Sequence, residues 1–147
     1  MRCDIFQPEA RPVSVIKSKR NVSQMEFLHK ARELEIYTIK KCINFPKRYT
    51  FHFTQFLTES SVRIYENVKK ANSVFPQNQH EAQMRRDYLL RARCELQSMI
   101  SQLEVAQEIF GLPENVMEFW VGLIAQELDL LRGVLSNDSS RYKNLRE

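Results

Sequence analysis

Three short breaks, Phe45-Pro46, Phe75-Pro76 and Gly111, cut residues 23–136 into four stretches of helical length. A residue before proline avoids the α region, and glycine is the preferred residue just past a helix end. Each stretch repeats apolar residues at three- and four-residue steps, the period of a helix with one buried face.

The first stretch opens at Ser23-x-x-Glu26, which has the form of a capping box. Phe27, Leu28, Ala31, Leu34, Thr38 and Cys42 follow as its inner face, with Ile36, Ile39 and Ile43 as a second apolar strip beside it. The second runs from about residue 50 to 74 on Phe53, Phe56, Leu57, Ser60, Ile64, Val68 and Ala71. The third is the longest, from Gln79 to Phe110, with Asn78 as its cap. Its stripe reads Ala82, Arg86, Leu89, Arg93, Leu96, Ile100, Leu103, Gln107, Phe110, a heptad seam interrupted by two arginines. The fourth starts near Pro113 and carries Val116, Trp120, Leu123, Ile124, Leu131, Val134 and Leu135.

Short connections between four such helices predict an all-α, antiparallel up-down-up-down four-helix bundle over residues 23–136, a rod roughly 35–40 Å long. Residues 1–22, with Pro8, Pro12 and a basic run, are expected to be a flexible basic arm, and residues 137–147 a polar tail. Three glycines in 147 residues disfavour a turn-rich β fold.

Catalytic and metal signatures are absent from the sequence. His52 and His80 lack a partner at helical metal-site spacing, His29 has Glu26 and Glu33 at such spacing but no second histidine, the one E-x-x-H (Glu26 to His29) lacks the second copy that a di-iron bundle needs, and no glycine-rich phosphate loop is present. Cys3, Cys42 and Cys94 are odd in number and widely spaced, as in free thiols of a reducing compartment. Glu127 falls inside the fourth apolar run, where an arginine partner is expected. The chain reads as a non-enzymatic, cytoplasmic binding protein without cofactor, metal or membrane segment.

Net charge is +4 and unevenly spread: residues 1–22 and 23–49 each carry +3, residues 50–77 carry +1, residues 78–110 carry −1 and residues 111–147 carry −2. Two basic clusters stand out. In residues 84–95, Arg85, Arg86, Arg91 and Arg93 crowd three helical turns. They either snorkel and pair with Glu81, Asp87, Glu95 or Glu127, or meet phosphate or a partner's carboxylates. In residues 44–51, Lys47 and Arg48 lie beside Tyr49, with Lys40 and Lys41 one turn upstream. Such a cluster either suits a nucleic-acid strand or offsets the dipole at a helix C-terminus.

The run ARELEIYTIKKCINFPKRYTF (residues 31–51) is similar to the first helix and loop of the Avd-like four-helix-bundle family, the accessory variability determinants of diversity-generating retroelements. IYENVKKAN (residues 64–72), RRDYLLRA (residues 85–92) and the C-terminal RYKNL (residues 141–145) resemble later segments of the same family, so that the likeness spans roughly residues 14–145. The wider family includes bundle proteins encoded in intervening sequences of bacterial ribosomal RNA genes. The resemblance implies a homo-oligomer, a pentameric barrel, that binds the element's reverse transcriptase and template-repeat RNA. It places Arg85, Arg86, Arg91, Arg93, Lys47 and Arg48 on the binding surface. The modest charge and acidic fourth helix depart from the family pattern and leave a second reading, a bundle adaptor with a protein partner and no nucleic-acid role.

Overall fold

The computed structural model describes the backbone of residues 12–147 and the side chains of residues 26–147. Four helices form the bundle: α1 (Pro12–Cys42), α2 (Gln55–Ser73), α3 (Gln79–Phe110) and α4 (Glu114–Arg141). Each packs on its chain neighbours, and α4 closes the ring on α1. No helix among the described residues is long and apolar enough to cross a membrane.

Side-chain contacts at the two ends fix the up-down-up-down order. At one end Phe45, just past α1, meets Phe110 at the end of α3 and Trp120 near the start of α4, with ring centroids 4.9 and 6.1 Å apart. Phe53, just before α2, packs on the same Phe110 at 5.6 Å. At the other end Arg85 of early α3 bonds Asp138 of late α4 and the carbonyl of Ala71 in late α2. Successive helices therefore run in opposite directions, as short loops require.

Inner faces follow the expected periodicity on α1, α2 and α4. Phe27, Ala31, Leu34, Thr38 and Cys42 are buried on α1, and Leu57, Ser60, Ile64, Val68 and Ala71 on α2. On α4 the buried positions are Trp120, Leu123, Ile124, Glu127, Leu131 and Leu135. Thr38 belongs in this core because its hydroxyl accepts the Trp120 indole N–H at 3.1 Å, so neither polar group is stranded.

The structure corrects four boundaries or registers. Helix α1 begins at Pro12, so Ser23 lies within it and does not cap it, and the first half of the arm expected over residues 1–22, residues 1–11, lies outside the described residues. The second stretch begins as a 3-10 turn, Lys47–Tyr49, and a π turn, Thr50–Thr54, before α2 proper. Helix α4 continues to Arg141, into the stretch expected to be tail. On α3 the ends are as expected, with Asn78 accepting the Glu81 N–H at 2.9 Å and Gly111 at φ 70°. The stripe between them is not. The buried set is Arg85, Leu89, Ala92, Leu96, Met99, Leu103 and Ala106, while Arg86 and Arg93 are exposed.

Candidate nucleic-acid interface

Arg85, grouped in sequence with the surface arginines, is a structural residue. It is only 5% exposed, and its guanidinium is fully engaged within the chain. Nε donates to Asp138 Oδ2 at 2.6 Å and Nη2 to Oδ1 at 3.4 Å, while Nη1 donates to the Ala71 and Val74 carbonyls at 2.8 and 3.4 Å. This planar fork holds the last carbonyls of α2 and the end of α4 together, a geometry lysine could not reproduce. Arg85 is therefore withdrawn from the candidate binding set.

The remaining seven candidates do not share one face. Lys47 and Arg48 are exposed at the Phe110 end of the bundle, and Lys40 and Lys41 lie on the last turn of α1. Arg86 is near the opposite end of α3, about 36 Å away at 1.5 Å per residue. The aromatic rings beside the first cluster point inward: Tyr49 stacks on Phe110 at 5.2 Å, and Tyr37 packs on Phe119 and Trp120 at 4.8 and 5.7 Å. Lys41 and Arg48 cover the outer sides of these rings, at 5.4 and 5.6 Å from the centroids. In residues 44–51 Phe45 and Tyr49 thus close the core, while Lys47, Arg48 and Phe51, the last 83% exposed, face solvent.

A different arrangement lies between α2 and α3. Lys70 and Arg91 both sit over the Tyr88 ring, at 5.9 and 5.7 Å, and Lys69 over Tyr65 at 5.8 Å. Neither Lys70 nor Arg91 is in an ion pair among the described residues. They border an open groove of about 850 Å³ that also takes in Phe56, Asn67, Leu90 and Ser98. Helical spacing creates this placement: Arg91 is three residues from Tyr88, Lys69 four from Tyr65, and packing brings Lys70 across from α2. The Y-x-x-R and Y-x-x-x-K spacings were visible in sequence, but the junction of the two helices was not.

Acidic groups temper the groove. Arg63 is held by Glu95, Nε to Oε1 at 2.9 Å, and the buried Ser60 hydroxyl donates to the same carboxylate at 2.5 Å. Burial alone would raise the Glu95 carboxyl, yet the hydrogen bonds from Arg63 and Ser60 and the arginine charge hold it below the ordinary value. Glu95 and Arg63 thus neutralise each other. Glu66 and Asp87 also line the groove and offset Lys70 and Arg91, so its lining carries no net charge although neither of these two cations is in an ion pair among the described residues.

Among the described residues no three His, Cys, Asp or Glu side chains gather as a metal site. Burial pushes the Cys42 thiol up to about 12, which keeps it protonated and un-nucleophilic at neutral pH. His52 and His80 are exposed, and His29 lines a shallow groove between α1 and α4. No family model matches the chain, and neither a curated protein nor a solved structure matches it.

Proposed function

We propose that the protein is a non-catalytic accessory of a diversity-generating retroelement, holding template RNA for the reverse transcriptase. The single observation that carries the RNA part is that Lys70 and Arg91, neither in an ion pair among the described residues, line an open groove and both sit over the neighbouring Tyr88 ring. Aromatic faces accept unpaired bases and neighbouring Lys or Arg accept the phosphates, a combination suited to single strands. The polymerase partner rests on the likeness of residues 31–51, 64–72 and 85–92 to the Avd-like family.

Charge reversal at Lys70 and Arg91 together is expected to weaken RNA binding and to lower the salt slope of log K by about two, one per lost phosphate contact. Both side chains are exposed, so circular dichroism should be unchanged. Fluorescence anisotropy at several salt concentrations measures both quantities. Wild-type binding that ignores salt would remove the reading.

A second reading, the adaptor with a protein partner, is favoured by one further observation. Ile36 and Ile39 on α1, Ile43 just past its end and Phe119 on α4 are exposed, Ile43 by 74% and Phe119 by 52%. Apolar surface of this kind, rimmed here by His29, Arg32 and Lys40, suits burial against another subunit. Ile43→Glu with Phe119→Ser is expected to reduce the mass in light scattering to that of the monomer. If this variant loses its partner while RNA binding stays absent in all forms, the adaptor reading replaces the first.

A further inference from the structure

The C-terminal residues are a built element, not a loose end. After α4 stops at Arg141, residues 142–147 turn back across the start of α3. The Gln79 N–H donates to the Arg146 carbonyl at 2.6 Å, and Gln79 Nε2 donates to the Tyr142 and Leu145 carbonyls at 2.8 and 3.1 Å. A single parallel bridge joins Asn78 to Arg146. One glutamine thus holds a six-residue hook with both its backbone and its side chain.

Between the hook, α3 and the end of α4 lies a cleft of about 130 Å³, lined in part by Arg86, Ser139, Tyr142 and Lys143. Arg86 Nη1 lies 3.5 Å from the Ser139 hydroxyl. Neither Arg86 nor Lys143 has an ion-pair partner among the described residues. The one carboxylate in the lining, Asp138, is already neutralised by Arg85. Gln79 is committed to the hook, and Gln83 donates to Asp87 at 2.9 Å. The groups left for a ligand are a guanidinium, an ammonium and two hydroxyls, all of which can donate. Two positive charges are not balanced within the cleft.

We infer that this cleft binds a phosphate group. The donor set matches an anion with several acceptor oxygens, since a planar guanidinium takes two of them and an ammonium another. Its size admits one tetrahedral oxyanion. Asp138 would repel such a ligand if it were free, and Arg85 removes that obstacle from beneath. The cleft lies between α3 and α4 and shares no lining residue with the groove between α2 and α3, and the inference does not rest on the RNA reading.

The test is a titration of the ¹⁵N-labelled full chain with inorganic phosphate, against chloride at matched ionic strength, followed by NMR. Saturable shifts are expected at the Ser139 and Lys143 amides and at Arg86 Nε. Arg86→Gln with Lys143→Gln should weaken the phosphate affinity roughly tenfold or more, the scale of two charge-assisted hydrogen bonds. Gln79→Ala should weaken it while both cations remain, because the hook loses two of its three bonds. Lys70→Glu with Arg91→Glu should leave these shifts intact, which separates this site from the RNA surface. A dinucleoside phosphodiester that saturates at lower concentration than inorganic phosphate assigns the natural source to a nucleic-acid strand; the reverse order assigns it to a free phosphate or monoester. Shifts identical in chloride and phosphate, or unchanged in the Arg86/Lys143 variant, overturn the site.

Discussion

Glu127→Leu is expected to stabilise the bundle at neutral pH by about 1–3 kcal/mol and to flatten its pH dependence. Glu127 is fully buried on α4 among Ile124, Leu131 and the core of the other helices, and neither carboxyl oxygen has a hydrogen-bond partner among the described residues. Among the described residues no arginine pairs with it: Arg85 is spent on Asp138, and Arg86 and Arg93 face solvent. Burial pushes its carboxyl from the ordinary 4.5 up to about 9, with the Lys30 charge opposing only in part. The folded state therefore keeps a proton that the unfolded chain releases above pH 4.5. Stability from this group is complete below that pH and drains away as pH rises toward 9, at about 1.4 kcal/mol per pH unit. Urea unfolding from pH 5 to pH 8 should show a falling midpoint in the wild type and a much flatter one in Glu127→Leu and Glu127→Gln. Glu35, raised by burial and by the nearby Glu66, adds a weaker slope of the same sign that persists in both variants. An undiminished slope in the leucine variant would place the titrating group elsewhere.

The same residue shows where sequence reading ends. Its place on the inner face of α4 follows from periodicity, since Trp120, Leu123, Ile124 and Leu131 bracket it at helical steps. Its lack of a partner depends on which way the α3 arginines turn. Leu89, Leu96 and Leu103 fit two heptad registers, one adding positions 86, 93 and 100, the other 85, 92 and 99. The first holds Arg86, Arg93 and Gln107 and the second a single arginine with Ala92, Met99 and Ala106, but composition alone does not say which arginine can be satisfied inside. Packing does: small side chains at the seam let neighbouring helices approach, and only Arg85 reaches both the α2 carbonyls and Asp138. The ends of α3 were legible because Asn78 and Gly111 act locally. The hook was not, since Gln79 bonds carbonyls 63 and 66 residues away. A net charge of −2 over residues 111–147 also concealed that Arg141, Lys143 and Arg146 lie together after an acidic beginning.

The largest loss of stability is expected from splitting the Arg85–Asp138 pair. The two side chains are only 6% and 12% exposed, so removing either partner strands a charge in the interior. Arg85→Met and Asp138→Leu should each cost about 3–5 kcal/mol, the scale seen when one member of a buried ion pair is lost. The arginine variant should be the worse, because the Ala71 and Val74 carbonyls lose their donor as well. Arg85→Met with Asp138→Leu removes both charges and should recover most of the loss, since an apolar pair avoids the desolvation of two ions. A double-mutant cycle by urea denaturation measures the coupling, expected to be strongly non-additive. Additive losses would mean that Arg85 acts on the α2 carbonyls alone. The pair also governs the neighbouring cleft, because freeing Asp138 sets a negative charge beside Arg86 and Lys143. Phosphate affinity should therefore fall in whatever Arg85→Met remains folded, and return in the double variant.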